Sequence, residues 1–332
     1  MNCEGIDFDG ARVFAIPMVT PFRGITIREG MLIEGPAGWG EFCPFREYDD
    51  REAAGWLATA IEAAALGWPP PHRDRIPINC TVPAVDPQRA HEIVVSSRCA
   101  TAKVKVADHP DSLGEDLARV EAVRDALGPH GALRVDANGL WDTETAVWAI
   151  PQLDQAAGGL QYVEQPCCSV EELATVRRKV SVPIAADESI RRADDPCRVA
   201  VAGAADIVVL KCTPLGGVRH ALQVAESAGL PCVVSSALET SIGLAAQLAL
   251  AAALPELEFA CGLGTLALLD GDVVGSACAL QPVDGYLPVP RTPPVPDATQ
   301  LGAVVAPDQA TERWWRARLA RVRAELDQSQ PA

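Results

Sequence analysis

Two lysines stand two residues apart in the stretch TAKVKVAD (residues 101–108), in a chain of 332 residues where only four of 28 basic residues are lysine. They are Lys103 and Lys105; the others are Lys179 and Lys211. Arginine supplies fixed charge, whereas a lysine amine can give up its proton when its surroundings depress its pKa. On a strand, residues i and i+2 share a face, so Lys103 and Lys105 point the same way and Ala102, Val104 and Val106 point the other. Facing inward, each ammonium depresses the other by like-charge repulsion, and a partly neutral amine near pH 7 is a competent general base. Facing outward, they are a solvated pair on an edge strand. Lys179, in VRRKV near a helix end, reads as solvated surface.

Asp136, Glu164, Asp187 and Lys211 follow Lys105 at near-regular intervals, each the length of one strand and one helix. Each ends a short apolar run. Three carboxylates brought together repel and raise one another's pKa. A hard divalent cation removes that conflict, and carboxylate oxygens with room for water and substrate suit magnesium, with manganese as a substitute. Each acid alone could as well be a solvated charge or a helix cap. Lys211 would face the Lys103–Lys105 pair from across the rim, or form a simple salt bridge to Asp187 or Asp136. A base, a divalent metal and a second cation can remove a proton beside a carboxylate and stabilise the resulting dianion.

The elements that must position these groups repeat along the chain. Apolar runs recur at residues 78–82, 101–106, 132–136, 160–164, 182–187, 205–211, 230–236 and 257–262. Helical patterns fall between them at 111–127, 142–154, 170–180 and 217–228. Alternating strand and helix predicts parallel strands with crossover helices, and eight units predict a (β/α)8-type barrel. An open doubly wound sheet is the alternative, but no Gly-x-Gly-x-x-Gly turn follows the first strand. In a barrel the carboxyl ends of the strands share one rim, where active sites are built. Arg134, two before Asp136, also faces inward, to the substrate or to a salt bridge at the core rim. Ser235 and Ser236 end the seventh run and either bind a substrate carboxylate or cap the following helix. Gly262 ends the eighth.

Before the repeat, Gly- and Pro-punctuated β-like runs and a helix at 49–66 predict an α+β capping domain. The expected division is residues 1–76 for the cap's N-terminal part, 77–284 for the barrel, and 285–332, with a final helix at 309–328, for a segment packing back on the cap. Residues 16–24 read as a loop covering the pocket, or as ordinary surface. A net charge of −16 argues against a nucleic-acid-binding surface. The most apolar segment, 242–254, is too short to span a bilayer, and the N-terminus does not read as an export signal. Eleven cysteines without a Cys-x-x-Cys pair read as small buried residues of a reducing cytoplasm.

The motifs KVK at 103–105, DAN at 136–138, VEQP at 163–166, ADES at 186–189, VLK at 209–211 and SSALETSIG at 235–243 together resemble the enolase superfamily. The Lys-x-Lys pair with a facing lysine resembles its muconate-lactonising-enzyme-like subgroup. GWGEFCPF (38–45) and the short length are most similar to the o-succinylbenzoate synthase family of the actinobacterial type. The resemblance implies magnesium-dependent syn-dehydration of 2-succinyl-6-hydroxy-2,4-cyclohexadiene-1-carboxylate through an enediolate, in menaquinone synthesis. It implies Lys105 as base and then acid, Lys211 as the cation over the developing ring, and Lys103 on the substrate carboxylate. Asp136, Glu164 and Asp187 would bind the metal, supported from behind by Asn138 and Glu188. Ser235, Ser236, Arg134 and Gly262 would meet the substrate.

An N-acylamino-acid racemase of the same superfamily would use the same metal with Lys105 and Lys211 as opposed acid and base. Dipeptide epimerases of this fold carry Asp-x-Asp on the eighth strand; here that position reads ACGLGT (260–265). Sugar-acid dehydratases place a histidine base on the rim, and none of the five histidines ends a strand. A non-catalytic binding barrel would be expected to have lost a ligand or a lysine, and none is missing. The expected partner is a small-molecule carboxylate, with monomer and homo-oligomer both open.

Overall fold

The computed structural model describes residues 4–22, 24–191, 198–304 and 307–328. Strands β1 (Asp7–Phe22), β2 (Ile25–Gly35) and β3 (Gly38–Phe42) form an antiparallel sheet in that order. One face of this sheet meets helix α1 (Asp50–Leu66), which places Trp56, Leu57, Ala60 and Ile61 against it. Asp49 starts the helix by accepting from the Glu52 amide at 2.7 Å. The approach is close enough to require Gly40, where a Cβ would lie 2.0 Å from the Ala60 carbonyl oxygen. The stretch 16–24, expected as a loop, is instead largely the end of β1 and its hairpin. Met18 bridges Leu269 and the Pro17 carbonyl accepts from the Asp270 amide, so backbone pairing holds this segment extended. Arg23 lies outside the described residues.

After β4 (Arg75–Pro77) come the parallel strands β5 (Cys80–Val82), β6 (Thr101–Lys105), β7 (Ala132–Asp136), β8 (Tyr162–Glu164), β9 (Ile184–Ala186), β10 (Ile207–Leu210) and β11 (Cys232–Val234). They lie side by side in chain order as one seven-stranded sheet. Helices α2 (Pro87–Ser97), α3 (Leu113–Leu127), α4 (Thr143–Ala157), α5 (Val170–Arg177), α9 (Val218–Ala228) and α10 (Ser241–Ala253) surround it. Short turns α6 (Glu188–Arg191), α7 (Arg198–Val201) and α8 (Cys212–Leu215) intervene. The expected eighth strand, 257–262, is reduced to Cys261 and Gly262. These two residues bridge Ile78 on one edge and Ser235 on the other, which closes a (β/α)8-type barrel. Just before them, the Ala260 carbonyl accepts from Arg134 at 2.8 Å.

Strand residues alternate between two cores. Outward side chains such as Val104, Val135 and Val163 pack under the helices, while Tyr162, Ala185, Ile207, Val209 and Val233 fill the barrel's interior with Phe259. Every residue of α10 is buried, which explains its apolar sequence without any membrane; no described helix is long and apolar enough to cross one. β12 (Tyr286–Pro288) pairs with β4. Helix α11 (Gln309–Gln328) returns to the cap, where Trp315 meets Phe42 edge-on at 5.8 Å and donates to Glu29 at 3.1 Å. The described cysteines are free, and most are buried, but Cys168 and Cys278 are exposed, contrary to a uniform burial of thiols.

Candidate active site

Strand register sets the site. Lys105 of β6 pairs with Asp136 of β7, and Asp136 with Glu164 of β8, so these three side chains form one row across the sheet. One layer deeper, Thr81, Lys103, Arg134 and Tyr162 form the next row by the same pairing. Asp187 and Lys211 follow directly after β9 and β10 and complete the rim. Lys103 therefore points inward with Lys105, as the alternation requires.

The charges are paired. Lys103 Nζ donates to both Glu164 oxygens at 2.8 and 2.9 Å and lies 3.3 Å from Asp136. Lys105 Nζ donates to Asp136 Oδ2 at 2.6 Å and to Asn138 Oδ1 at 2.7 Å. Lys211 is paired with Asp187. Lys103, Lys211 and all three carboxylates are buried.

The two neighbouring amines diverge, where mutual repulsion predicts that both fall. Burial pushes Lys103 down, but the charges of Glu164 and Asp136 outweigh it and hold its pKa above the ordinary lysine value. Burial also pushes Lys105 down, Asp136 only partly opposes this, and Lys103 adds to it, so Lys105 ends below its ordinary value. Burial raises Asp136, but the two lysines more than reverse it, and its carboxyl is held well below the usual range. Glu164 is pushed up to about 7 by burial and by the like charge of Asp136, with Asp187 adding and Lys103 opposing.

Burial and the neighbouring Asp136 charge thus disfavour the ionised Glu164, and three hard oxygen donors on adjacent strands have the chemistry of a magnesium site. Their oxygens are turned to the lysines, and no ready-made cage of three ligating His, Cys, Asp or Glu side chains exists among the described residues. The donor types fit the metal; the lysines hold the carboxylates in its place.

Behind the rim, Asn138 adopts a positive φ of 48°, donates its amide to Asp136 Oδ1 at 3.0 Å and its side-chain nitrogen to Glu188 at 3.3 Å. Gln165, inside the VEQP motif but not singled out from sequence, does equivalent work on the next strand. Its Oε1 accepts from the Asp187 and Ser189 amides at 2.9 and 3.2 Å, and its Nε2 donates to Ser189 Oγ at 2.7 Å.

A cavity of about 40 Å³ opens at the lysines, lined by Asp136, Asp187, Ser235, Ser236, Gly262 and Thr81 among others. A Cβ on Gly262 would lie 2.6 Å from Ser235 Oγ, so glycine keeps this wall open. The helix-cap reading of the two serines is corrected: Thr240 caps α10, and Ser236 Oγ instead accepts from Leu238 N at 3.2 Å. Arg134 is also relocated. It is fully buried below the row of carboxylates and is absent from the cavity lining. It donates to Gln161 at 2.7 Å and to the Ala260 carbonyl at 2.8 Å, stacks over Tyr162 at 4.7 Å, and forms no salt bridge among the described residues. Lys179 is exposed. Phe45, Ala237, Leu238 and Thr265 also line the cavity. Their apolar or neutral side chains carry no chemical signal in a sequence. A larger cavity, about 640 Å³ near the amino ends of the strands, lies between α9 and α10 away from all these groups.

Known proteins resemble the chain at both levels. The enolase C-terminal domain-like model matches residues 87–295, and the enolase N-terminal domain-like model matches residues 13–64. The o-succinylbenzoate synthase of Thermobifida fusca is 62% identical over 317 residues, covering 96% of this chain and 97% of that protein. The o-succinylbenzoate synthase of Mycolicibacterium smegmatis is 53% identical, covering 91% and 92%. In fold, the muconate lactonizing enzyme of Pseudomonas putida superposes with a TM-score of 0.73 at 24% identity, covering 92% of this chain and all of the other. The L-Ala-D/L-Glu epimerase of Bacillus subtilis does so at 0.74 with the same identity and coverage. With the paired-lysine rim and near-full-length identity above half, the chain belongs to the enolase superfamily, within its o-succinylbenzoate synthase family.

Proposed function

We propose that this chain catalyses the dehydration of 2-succinyl-6-hydroxy-2,4-cyclohexadiene-1-carboxylate to 2-succinylbenzoate, as a soluble cytoplasmic enzyme of menaquinone synthesis. The observation that carries the reading is Lys105, partly buried in the rim cavity and donating to Asp136 at 2.6 Å, in a chain 62% identical to an o-succinylbenzoate synthase. Lys105 takes the proton from the ring carbon bearing the carboxylate, and the electron pair moves into that carboxylate as an enediolate. The pair then returns to form the new ring double bond as the neighbouring C–O bond breaks. The departing hydroxide takes the proton back from Lys105 and leaves as water, so one amine serves as base and acid on one face.

Lys211 stands opposite, over the developing anion, and Lys103 holds the substrate carboxylate and keeps Lys105 depressed. Asp136, Glu164 and Asp187 would hold Mg²⁺ or Mn²⁺, with Asn138 and Glu188 bracing them. A bound ion would supply Lewis-acid charge to the substrate carboxylate. Ser235, Ser236 and the Gly262 wall would receive the succinyl arm. The catalytic unit is taken as residues 77–284, capped by 1–76 and 285–332.

The test is an ultraviolet assay of purified protein on that substrate, with magnesium and with EDTA. Magnesium-dependent loss of the diene absorbance is the expected result. A folded, magnesium-binding protein that leaves the diene intact would overturn the dehydratase reading and favour racemisation of N-acylamino acids, in which Lys105 and Lys211 exchange protons from opposite faces.

A further inference from the structure

The cavity of about 40 Å³ is far below the roughly 300–1,000 Å³ of ordinary small-molecule sites, so its wall must adjust around any substrate of this size. Two segments supply that wall away from the charged rim. One is Phe45 of the cap; the other is Ala237–Leu238, which follows β11 of the barrel. A single side chain joins them. Arg28 of β2 is buried, and its Nε donates to the Leu238 carbonyl at 3.0 Å. Its Nη2 donates to the Ala237 carbonyl at 3.1 Å and to the Cys43 carbonyl at 2.5 Å. Its guanidinium lies over the Phe45 ring at 4.6 Å.

Leu238 needs such a hold, because its φ of +66° is a conformation that a leucine rarely adopts. Two buried acids complete the frame around the same loop. Glu239 accepts from the Ala237 amide at 2.6 Å, and Glu41 of β3 accepts from the Thr240 and Gly243 amides at 3.1 and 2.8 Å. Among the described residues Arg28 makes no hydrogen bond to a carboxylate; the hydrogen bonds found for it go to main-chain oxygens, two of them at Ala237 and Leu238 and one at Cys43, two residues before Phe45.

We propose that Arg28 is a specificity-determining positioning residue: it fixes Phe45 against Ala237–Leu238 and thereby sets the shape of the wall that closes on the substrate. The inference rests on the dehydratase reading for its substrate, but not for its geometry. Arg28 touches neither the lysines nor the carboxylates, so it acts on binding and not on proton transfer. Lysine cannot replace it, because a point charge cannot bridge three separated carbonyls and stack flat on a ring.

The experiment compares the full chain with Arg28→Lys, Phe45→Leu and the double variant. The measurements are kcat, KM and Mn²⁺ affinity, with hydrogen exchange of the Mg²⁺-loaded protein. For Arg28→Lys we expect KM to rise about tenfold or more, kcat to change less than about threefold, and Mn²⁺ affinity to stay unchanged. The double variant is expected to be no worse than about the larger single effect, because both changes loosen one wall. Exchange should quicken at residues 236–240 and 44–46 and stay slow at 103–105. An unchanged KM with unchanged exchange at 236–240 would overturn the proposal, as would kcat and Mn²⁺ affinity falling together with KM.

If the wild type does not turn over the diene, the dehydratase reading fails, while the exchange pattern still decides the role of Arg28. Should Arg28→Lys not fold, Phe45→Leu carries the test: a KM unchanged in that variant would also overturn the proposal.

Discussion

Burial alone would depress both amines of the Lys103–Lys105 pair, and their neighbours decide which stays depressed. Lys103 faces two carboxylates at 3.3 Å or less, whereas Lys105 donates to Asp136 at 2.6 Å and is pushed down by the charge of Lys103. In the proposed reaction the deeper lysine stays a cation and the shallower one serves as the base. Lys105→Ala should lower kcat by at least about 10²-fold with the circular dichroism spectrum unchanged. A retained rate above roughly 1% of wild type would contradict the base role. Because a base must be neutral to act, kcat/KM should rise with pH through the Lys105 pKa, with a midpoint below the ordinary lysine value of 10.5. A rate that falls as pH is raised from 6 to 8 would be incompatible with this. The shift of Glu164 runs the other way, upward. With its carboxyl near 7, it is partly protonated in neutral solution and must lose that proton to ligate a cation. Magnesium affinity should therefore weaken as pH falls through 7. Calorimetry at pH 6 in buffers of different ionisation enthalpy should show proton release; a binding heat independent of buffer would refute it.

At the scale of elements, the strand ends do the positioning, and each is braced by the next residue or two. Gln165 occupies a positive φ of 39° directly after β8, which turns its side chain toward the Asp187 and Ser189 amides of the following unit. Gln165→Leu keeps the volume and removes the one oxygen that accepts from both amides, together with the Nε2 donor. Mn²⁺ binding should weaken about 10–100-fold, as is usual when a partner behind a ligand is lost, with kcat at saturating metal much less affected. Unaltered Mn²⁺ affinity would show that Asp187 is held by its strand alone.

The same elements mark what a sequence can and cannot disclose. Strand order, the rim and the inward face of Lys103, Lys105, Asp136 and Glu164 were legible, because a period of two and a strand–helix repeat leave few arrangements. Arg134 was misplaced because inward on a strand does not say how deep: Asp136 is at the rim and Arg134, two residues earlier, is under it. The eighth strand was over-read because its apolar run is real, while only Cys261 and Gly262 of it bridge the neighbouring strands. Phe45 and Leu238 were invisible, since a wall residue differs from a core residue only in what lies opposite.

At the scale of the whole molecule, the cap is built from both chain ends and shares a core with the barrel. Ala237, Leu238, Leu268 and Leu269 from barrel connections and Ile242 of α10 pack in one apolar cluster with Phe14, Ile33 and Trp56 of the cap and with Trp315, Leu319 and Val322 of α11. Arg318 of the same helix donates to the Phe45 carbonyl at 3.0 Å, so the C-terminal helix braces from outside the wall that Arg28 holds from inside. A cap held only by polar contacts would rock freely and melt first. One sharing apolar contacts with the barrel's loops cannot leave without exposing them. Trp315 lies between α11 and the cap sheet, almost fully buried. Trp315→Ala should cost roughly 3–5 kcal/mol by lost burial and the cavity left behind. That cost should appear as a common shift of the urea transitions followed by tryptophan fluorescence and by far-ultraviolet circular dichroism. Coincident midpoints in wild type and variant would mean that cap and barrel unfold as one unit. A fluorescence transition that separates and moves to lower urea, while the circular dichroism transition stays in place, would mean that the cap is an independently folding lid, and the shared core would then count for little in stability.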